Sequence, residues 1–242
     1  MFIKQITKKV LKFFGFKLNK KKKFLLNNFL NIKDKASLIS LIDSKGVLHL
    51  GAHKGEEADI YQWLGKKVIW VEALPKVFDQ LKDNLYFYSN QEAYCLLLGD
   101  MDNIKKSFYI SNNDSVSSSL FKFSKNTLDR KYFPEQKLEI KNEIILEMSK
   151  LDTFVKKNSI DISKYNHWIV DLQGAELLAL KGAENSLEFC DSLLIEISKV
   201  DIYENGVLWP ELKNWLIKRN FYPVTEPLEN HADVLFKKGN TQ

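Results

Sequence analysis

Cysteine is scarce in this chain, and no run of residues is apolar enough to cross a membrane. The two cysteines, Cys95 and Cys190, stand far apart in apolar surroundings. No CxxC pair or Cys/His cluster offers a zinc site. Two reduced core thiols in a cytosolic protein are the expectation. No apolar stretch approaches the length of a transmembrane helix. No internal repeat, linker or second globular domain appears among the 242 residues. Also missing is the Gly-x-Gly-x-x-Gly pattern that cradles a pyrophosphate.

Acids are absent from the first 33 residues, which hold ten lysines: Lys4, Lys8, Lys9, Lys12, Lys17, Lys20, Lys21, Lys22, Lys23 and Lys33. Of 36 basic residues, 26 therefore remain against 31 acids, so the net +5 of the whole becomes −5 for the rest. A mildly acidic body argues against a nucleic-acid substrate, which calls for a basic face. Within the leader Ile3, Ile6, Val10 and Phe13 recur at helical spacing, with Phe14 beside them. Lysines interrupt every apolar stretch and no small-residue cleavage site appears, which argues against a secretory signal. The leader reads either as a helix lying on an anionic membrane surface or as a basic helix packed on the domain.

What is present begins with two segments about twenty residues apart, VLHLGAHKGEE at 47–57 and VIWVEALP at 68–75. An apolar run meets a glycine turn, a helical stretch follows, and a second apolar run ends on an acid. Gly51 and Gly55 allow a sharp turn and close approach of a ligand. Glu72 is placed to accept hydrogen bonds from both ribose hydroxyls of a nucleoside. A nucleoside cofactor without a pyrophosphate fits this spacing, and S-adenosylmethionine is the common one.

The rest of the chain continues in strand–helix units. Asp34 caps a helix through Leu38, Ile39, Leu41 and Ile42. Strands are predicted at 47–50, 68–71, 93–98, 105–110, 140–146, 167–170, 192–197 and 233–236. Helices are predicted at 56–64, after Pro75, at 151–157, through Leu177, Leu178 and Leu180, and after Pro210. Residues 112–119, NNDSVSSS, form a polar loop, either a connector or a binding loop. Apolar strands alternating with helices imply an α/β fold, a mostly parallel sheet covered on both faces. The predicted organisation is a leader at 1–33 and a single domain at 34–242.

Ligands of such a sheet meet residues at the carboxyl ends of its strands. Asp171 ends an apolar strand just before Gln173 and Gly174. It can take a proton from a hydroxyl, hold a divalent cation, or simply cap the next helix. Glu196 interrupts the apolar run LLIEIS, where a carboxylate needs a partner. His53 belongs to the glycine turn and sits near the cofactor, whereas His49 reads as a core histidine and His231 as a loop residue. Trp70, Trp168, Trp209 and Trp215 read as core or cleft wall.

The segments HLGAHKGEE (49–57), WVEALP (70–75) and IVDLQGAELLALKGA (169–183) resemble the FkbM family of S-adenosylmethionine-dependent methyltransferases. LGD at 98–100, SSSL at 117–120, LDTF at 151–154 and the IEIS strand fit as well, so the resemblance covers about residues 45–238. It implies a Rossmann-like methyltransferase fold and methylation of a hydroxyl on a sugar, glycan or related natural product. By match, Gly51 and Gly55 line the methionine part of the cofactor, Glu72 takes its ribose and Asp100 sits by its adenine, with Ala52, His53, Glu57 and Ala73 as further cofactor-binding candidates. Asp171 stands beside the transferred methyl and Gln173 is a further cofactor-binding candidate; Glu196 is the second catalytic candidate, and it either orients a site group or simply bonds to a neighbouring backbone. Many members carry an acid where this chain has His49.

The mechanism implied is alignment plus a base, Asp171, with a metal on Asp171 as the other route to the same chemistry. Rival readings are a nucleotide-dependent sugar oxidoreductase or epimerase, and a non-catalytic binding module. The expected location is cytoplasmic, peripheral to the inner face of a membrane if the leader binds lipid. There the acceptor would belong to polysaccharide assembly.

Overall fold

Chain order alternates short strands with helices, as the apolar periodicity requires. The computed structural model describes residues 35–239. The basic leader and the Asp34 cap lie outside the described residues. The elements are α1 (Lys35–Asp43), β1 (Gly46–Leu50), α2 (Ala58–Trp63), β2 (Lys67–Glu72), α3 (Pro75–Leu85), β3 (Gln91–Cys95), β4 (Leu97–Leu98) and β5 (Ile104–Ser111). They continue with α4 (Lys125–Leu128), β6 (Ile140–Ser149), α5 (Leu151–Lys157), β7 (His167–Val170), α6 (Glu176–Lys181), β8 (Ser192–Ser198), α7 (Trp209–Ile217), β9 (Phe221–Pro223) and β10 (His231–Lys238).

Seven strands form one sheet in the order β3-β2-β1-β7-β8-β10-β9. β3, β2, β1, β7 and β8 run parallel, and β10 returns antiparallel between β8 and β9. Parallel strands need both faces covered, and β1 is buried at all five positions. The main core packs Leu48, Leu50, Trp168, Val170, Leu193 and Ile195 against Leu177, Leu180, Leu212 and Leu216 from the helices. Pro75 opens α3, and Val77, Leu81 and Leu85 bury its apolar stripe. Strand order reverses between β1 and β7, so the crevice above their carboxyl ends is the natural ligand position. This is the Rossmann-like methyltransferase arrangement.

Several elements differ from expectation. The strand predicted at 93–98 is two strands in two sheets. The Leu96 N–H donates to the Glu72 carbonyl at 2.9 Å, and the chain then leaves β2 to pair Leu97 and Leu98 with β6. A second sheet, β4-β6-β5, results, built on a long antiparallel β5–β6 pair. β9 has no signal in the sequence. β10 begins at His231, two residues before the predicted start, so His231 is a strand residue rather than a loop residue. Cys190 is buried but Cys95 is exposed, which corrects the reading of two core thiols. Trp70 and Trp168 are fully buried and their indoles donate to Gln91 Oε1 (3.0 Å) and the Tyr165 carbonyl (2.8 Å). Trp215 is only partly buried, with the Arg219 guanidinium over its ring at 3.5 Å. No helix among the described residues is long and apolar enough to cross a membrane.

Candidate active site

The turn after β1 is built for packing as much as for a ligand. Gly51 has φ +87°, and a Cβ there would stand 1.7 Å from the Asp171 carbonyl oxygen. Only glycine lets the ends of β1 and β7 meet so closely. The Asp171 N–H donates to Leu50 O at 3.0 Å, and the Gly51 and Ala52 N–H groups donate to Val71 O at 2.9 and 3.0 Å. Gly55 has φ +72°, and its Cβ would lie 2.6 Å from Leu81 Cδ1 of α3. Gly55 thus faces α3 rather than the crevice.

A cavity of about 290 Å³ opens over these strand ends. One part of its wall is apolar, with Leu96, Leu97, Leu98, Phe108, Val116 and Leu120. The other carries Glu56, Glu57, Glu72, Asp171, His49 and His53. No lysine or arginine lines it among the described residues. Glu72 Oε2 accepts the His53 N–H (2.9 Å) and Oε1 the Leu74 N–H (2.8 Å). Burial nevertheless raises its proton affinity. Glu57 is pushed up to about 7, first by burial and then by neighbouring acids including Asp171. His49 is buried, stacked on Trp70 at 4.6 Å and bonded to the Tyr61 hydroxyl at 3.2 Å. Burial lowers it to about 3, so the ring is neutral.

The loop at 112–119 closes on the turn. His53 Nδ1 lies 2.8 Å from Glu56 Oε1, and Nε2 lies 3.1 Å from the Asp114 carbonyl. Both partners only accept, so the geometry suits the imidazolium, and the Glu56 contact raises the His53 pKa. Lys54 pairs with the Asp114 carboxylate. Ser115, Val116 and Ser118 join the cavity wall.

Asp171 stands at the end of β7, and α6 does not begin until Glu176, with Ala175 as its cap residue. Asp171 is therefore not the cap of α6. The turn between them is held by Glu176, whose Oε1 accepts the Leu172 and Gly174 N–H groups at 2.9 and 3.0 Å. Within it Gln173 takes φ +54° and Gly174 φ +97°. Left-handed backbone at a glutamine costs about 1–3 kcal/mol. Its amide nitrogen donates to Asp171 Oδ1 (2.6 Å) and Glu196 Oε2 (2.8 Å). The other Glu196 oxygen, Oε1, lies 3.0 Å from His231 Nε2. Burial and the neighbouring Glu196 carboxyl raise Asp171 well above the carboxylate range. Glu196 is pushed up to about 8 by burial, with Glu176 adding to it.

Oxygens of Asp171, Glu176 and Glu196 lie within 4.8 Å of one another, the spacing of a cation site. The Gln173 amide, however, points its hydrogens at both Asp171 and Glu196, and Glu176 Oε1 is taken by two backbone donors. That arrangement does not fit a resident metal. It fits a centre neutralised by protons and an amide dipole.

Of the residues expected from sequence, Gly51, Ala52, His53, Glu57, Glu72, Ala73, Asp171 and Gln173 line the cavity. Gly55, Asp100 and Glu196 do not: Gly55 packs on α3, Asp100 lies beyond β4, and Glu196 reaches the centre through the Gln173 amide. Sequence reasoning did not single out Tyr203, whose hydroxyl donates to Gln173 Oε1 at 2.5 Å. A lone tyrosine in a loop carries no periodic signal.

Fold and crevice together define a Rossmann-like methyltransferase. The sequence profile of the Methyltransferase FkbM domain matches residues 49–223, and the chain belongs to the FkbM methyltransferase family. No curated protein matches the chain as a relative. Among solved structures it is similar to magnesium protoporphyrin IX methyltransferase from Synechocystis PCC 6803 with bound S-adenosylmethionine. That match has 9% identity, covers 93% of this chain and 86% of that one, and has TM-score 0.44. Aeropyrum pernix fibrillarin, also holding S-adenosylmethionine, matches at 12% identity over 83% and 72% with TM-score 0.39. A protein in the NADB-Rossmann superfamily from Streptococcus agalactiae matches at 12% over 86% and 70% with TM-score 0.44.

Proposed function

We propose that this protein transfers a methyl group from S-adenosylmethionine to a hydroxyl of a sugar, glycan or related natural product, with Asp171 as the base. The observation that carries this reading is the charge of the cavity. Four carboxylates and an apolar wall line it, without a lysine or arginine among the described residues. A pyrophosphate would meet acidic groups with only His53 as a counter-charge, whereas a nucleoside bearing a sulfonium cation meets no lysine or arginine to repel it. The apolar wall of Leu97, Leu98 and Phe108 suits a purine, and Glu72 keeps lone pairs free for ribose hydroxyls.

Bound there, S-adenosylmethionine supplies a methyl already activated on sulfur, which passes to the acceptor oxygen as the carbon–sulfur bond breaks with its electron pair on sulfur. The chain's own residues supply alignment and proton removal. The close approach of Gly51 to the Asp171 carbonyl holds two strand ends together beneath the cavity, with Asp171 on its wall. Asp171 takes the hydroxyl proton. An elevated proton affinity suits that task, because a base works best with a pKa near the working pH. Burial and Glu196 raise Asp171, whereas the contact with Asp171 lowers Glu196 against its own burial, so the two carboxyls titrate as a coupled pair.

The leader extends the proposal. Its ten lysines and helically spaced apolar residues suit an anionic membrane surface, where lipid-linked glycans would be the acceptors. Calorimetry with S-adenosylmethionine, its demethylated product S-adenosylhomocysteine and NADH tests the cofactor. Binding of NADH alone would replace this reading with an oxidoreductase. Transfer of labelled methyl into surface glycans of cells lacking the protein tests the acceptor class, and label found only in nucleic acid or protein would refute it.

A further inference from the structure

Gln173 occupies a backbone conformation that glycine or asparagine would take more easily, with φ +54°. What its own side chain does there is visible in three contacts. Nε2 donates to Asp171 Oδ1 at 2.6 Å and to Glu196 Oε2 at 2.8 Å, while Oε1 accepts the Tyr203 hydroxyl at 2.5 Å. An amide has two hydrogens on one nitrogen, and here each has a carboxylate of its own. Its orientation would be ambiguous but for Tyr203, which supplies a donor to the oxygen end.

We propose that Gln173 is the positioning residue of this centre: its amide nitrogen holds Asp171 and Glu196 as a pair, and Tyr203 sets which end of the amide faces them. The backbone is braced to match. Ser119 Oγ donates to the Gln173 carbonyl at 2.7 Å, and the Tyr203 hydroxyl also lies 3.2 Å from the Ser117 carbonyl. A Cβ on Gly174 would come within 3.1 Å of the Tyr203 ring, so this glycine leaves the phenol room to reach the amide. The serine end of the loop at 112–119 is thereby tied to the carboxylate pair through one side chain. The catalytic meaning of the pair rests on Asp171 being the acceptor's base, but its geometry does not.

Other ionisable groups surround the pair and enter any titration of it. Glu57 approaches from the turn before α2, Glu176 from α6, Asp233 and His231 from β10, and Tyr203 from the loop after β8. A donor shared by two carboxylates favours their ionised forms. Losing it should raise the pH at which they ionise.

The test reads the carboxyl groups directly, without an acceptor. Carbon-13 carboxyl resonances of Asp171 and Glu196 are assigned from Asp171→Asn and Glu196→Gln and titrated in the full chain. Gln173→Leu should shift both midpoints upward. Gln173→Glu, nearly the same shape but without the donor, should shift them at least as far. Tyr203→Phe should shift them the same way by less, and the double variant Gln173→Leu/Tyr203→Phe should match Gln173→Leu alone. Unchanged midpoints in folded Gln173→Leu and Gln173→Glu would reduce Gln173 to a space filler and overturn the proposal. Additive shifts in the double variant would overturn the part assigned to Tyr203. Should Gln173→Leu fail to fold, Gln173→Asn, which keeps an amide too short to span both acids, and Tyr203→Phe decide the matter. Calorimetry with S-adenosylhomocysteine runs beside the titration. Loss of binding in the wild type would sink the methyltransferase reading while leaving the pairing intact.

Discussion

The His53 backbone N–H donates to Glu72 Oε2 at 2.9 Å, tying the turn after β1 to the end of β2. The second Glu72 oxygen accepts the Leu74 N–H at 2.8 Å, so one buried carboxylate holds two loops of the cavity rim. Glu72→Ala should therefore do two things. It should weaken S-adenosylhomocysteine binding at least about tenfold, since a hydrogen bond to a charged group contributes about 1.5–3 kcal/mol. It should also lower stability by about 1–3 kcal/mol, because two N–H groups lose their acceptor. Calorimetry and denaturant unfolding measure the two separately. Unchanged affinity with lowered stability would make Glu72 a structural residue only.

The parts of this site legible in the sequence are those that sit at strand ends. Gly51, Glu72 and Asp171 follow apolar runs, and a parallel sheet carries the ends of those runs to one edge. The reason for the glycines was not legible. The sequence suggested room for a ligand, whereas Gly51 makes room for the Asp171 carbonyl and Gly55 for Leu81. Contacts between distant segments have no local signature. The second sheet, the Tyr203 hydroxyl on Gln173 and the reach of His231 to Glu196 all depend on pairings across tens of residues. Periodicity alone implies a parallel α/β sheet, and the resemblance to the FkbM family narrows it to the Rossmann-like methyltransferase fold.

Asp171→Asn keeps the shape of the side chain and removes the base. Turnover on the native acceptor should fall by about 10²–10⁴-fold, the usual contribution of a positioned base. Binding of S-adenosylhomocysteine should stay nearly unchanged, because that ligand carries no cation on sulfur. The measurement is single-turnover transfer of labelled methyl. A chelator should leave wild-type turnover intact, given that the Gln173 amide points at the two carboxylates a cation would use. Near-normal turnover in the variant would remove Asp171 from the chemistry.

The loop at 112–119 is latched by Lys54 on the Asp114 carboxylate and by His53 on the Asp114 carbonyl. The Asp114 carboxylate is exposed to solvent, so loss of the ion pair should cost little stability. Lys54→Ala should then speed release of S-adenosylhomocysteine by a few-fold. The His53 contact adds a pH dependence. Its pKa is raised by Glu56, so its contribution is complete at low pH and fades as pH rises through the folded value. Stopped-flow release should accelerate above that pH, and His53→Gln should flatten the profile. Identical release rates at every pH in wild type and both variants would make the loop a plain connector.

The leader makes a prediction of its own. Lysines near an anionic bilayer contribute about 1 kcal/mol each, an attraction that salt screens. The full chain should sediment with phosphatidylserine vesicles at low salt and leave them at high salt, while a version beginning at Asp34 should stay in solution. Equal behaviour of the two would end the membrane reading.

Glu196 offers a test of the centre that needs no ligand. Its carboxyl is pushed up to about 8 in the folded protein, by burial and by Glu176, and returns to an ordinary value near 4.5 on unfolding. Between these values the folded state holds a proton that the unfolded state has released. Stability from this group is thus complete below about pH 4.5 and is lost as pH rises through about 8. Asp171, raised by burial and by Glu196, acts in the same direction. Resistance to denaturant should therefore fall from pH 5 to pH 8.5, opposite in sign to an acid held by an ion pair. Glu196→Gln removes one of the two titrations and relieves the other, so its profile should be flatter and its stability at pH 8.5 higher than wild type. A variant less stable than wild type at pH 8.5 would show that the ionised Glu196 carboxylate is stabilised where it stands, which would overturn the reading of a proton-holding dyad.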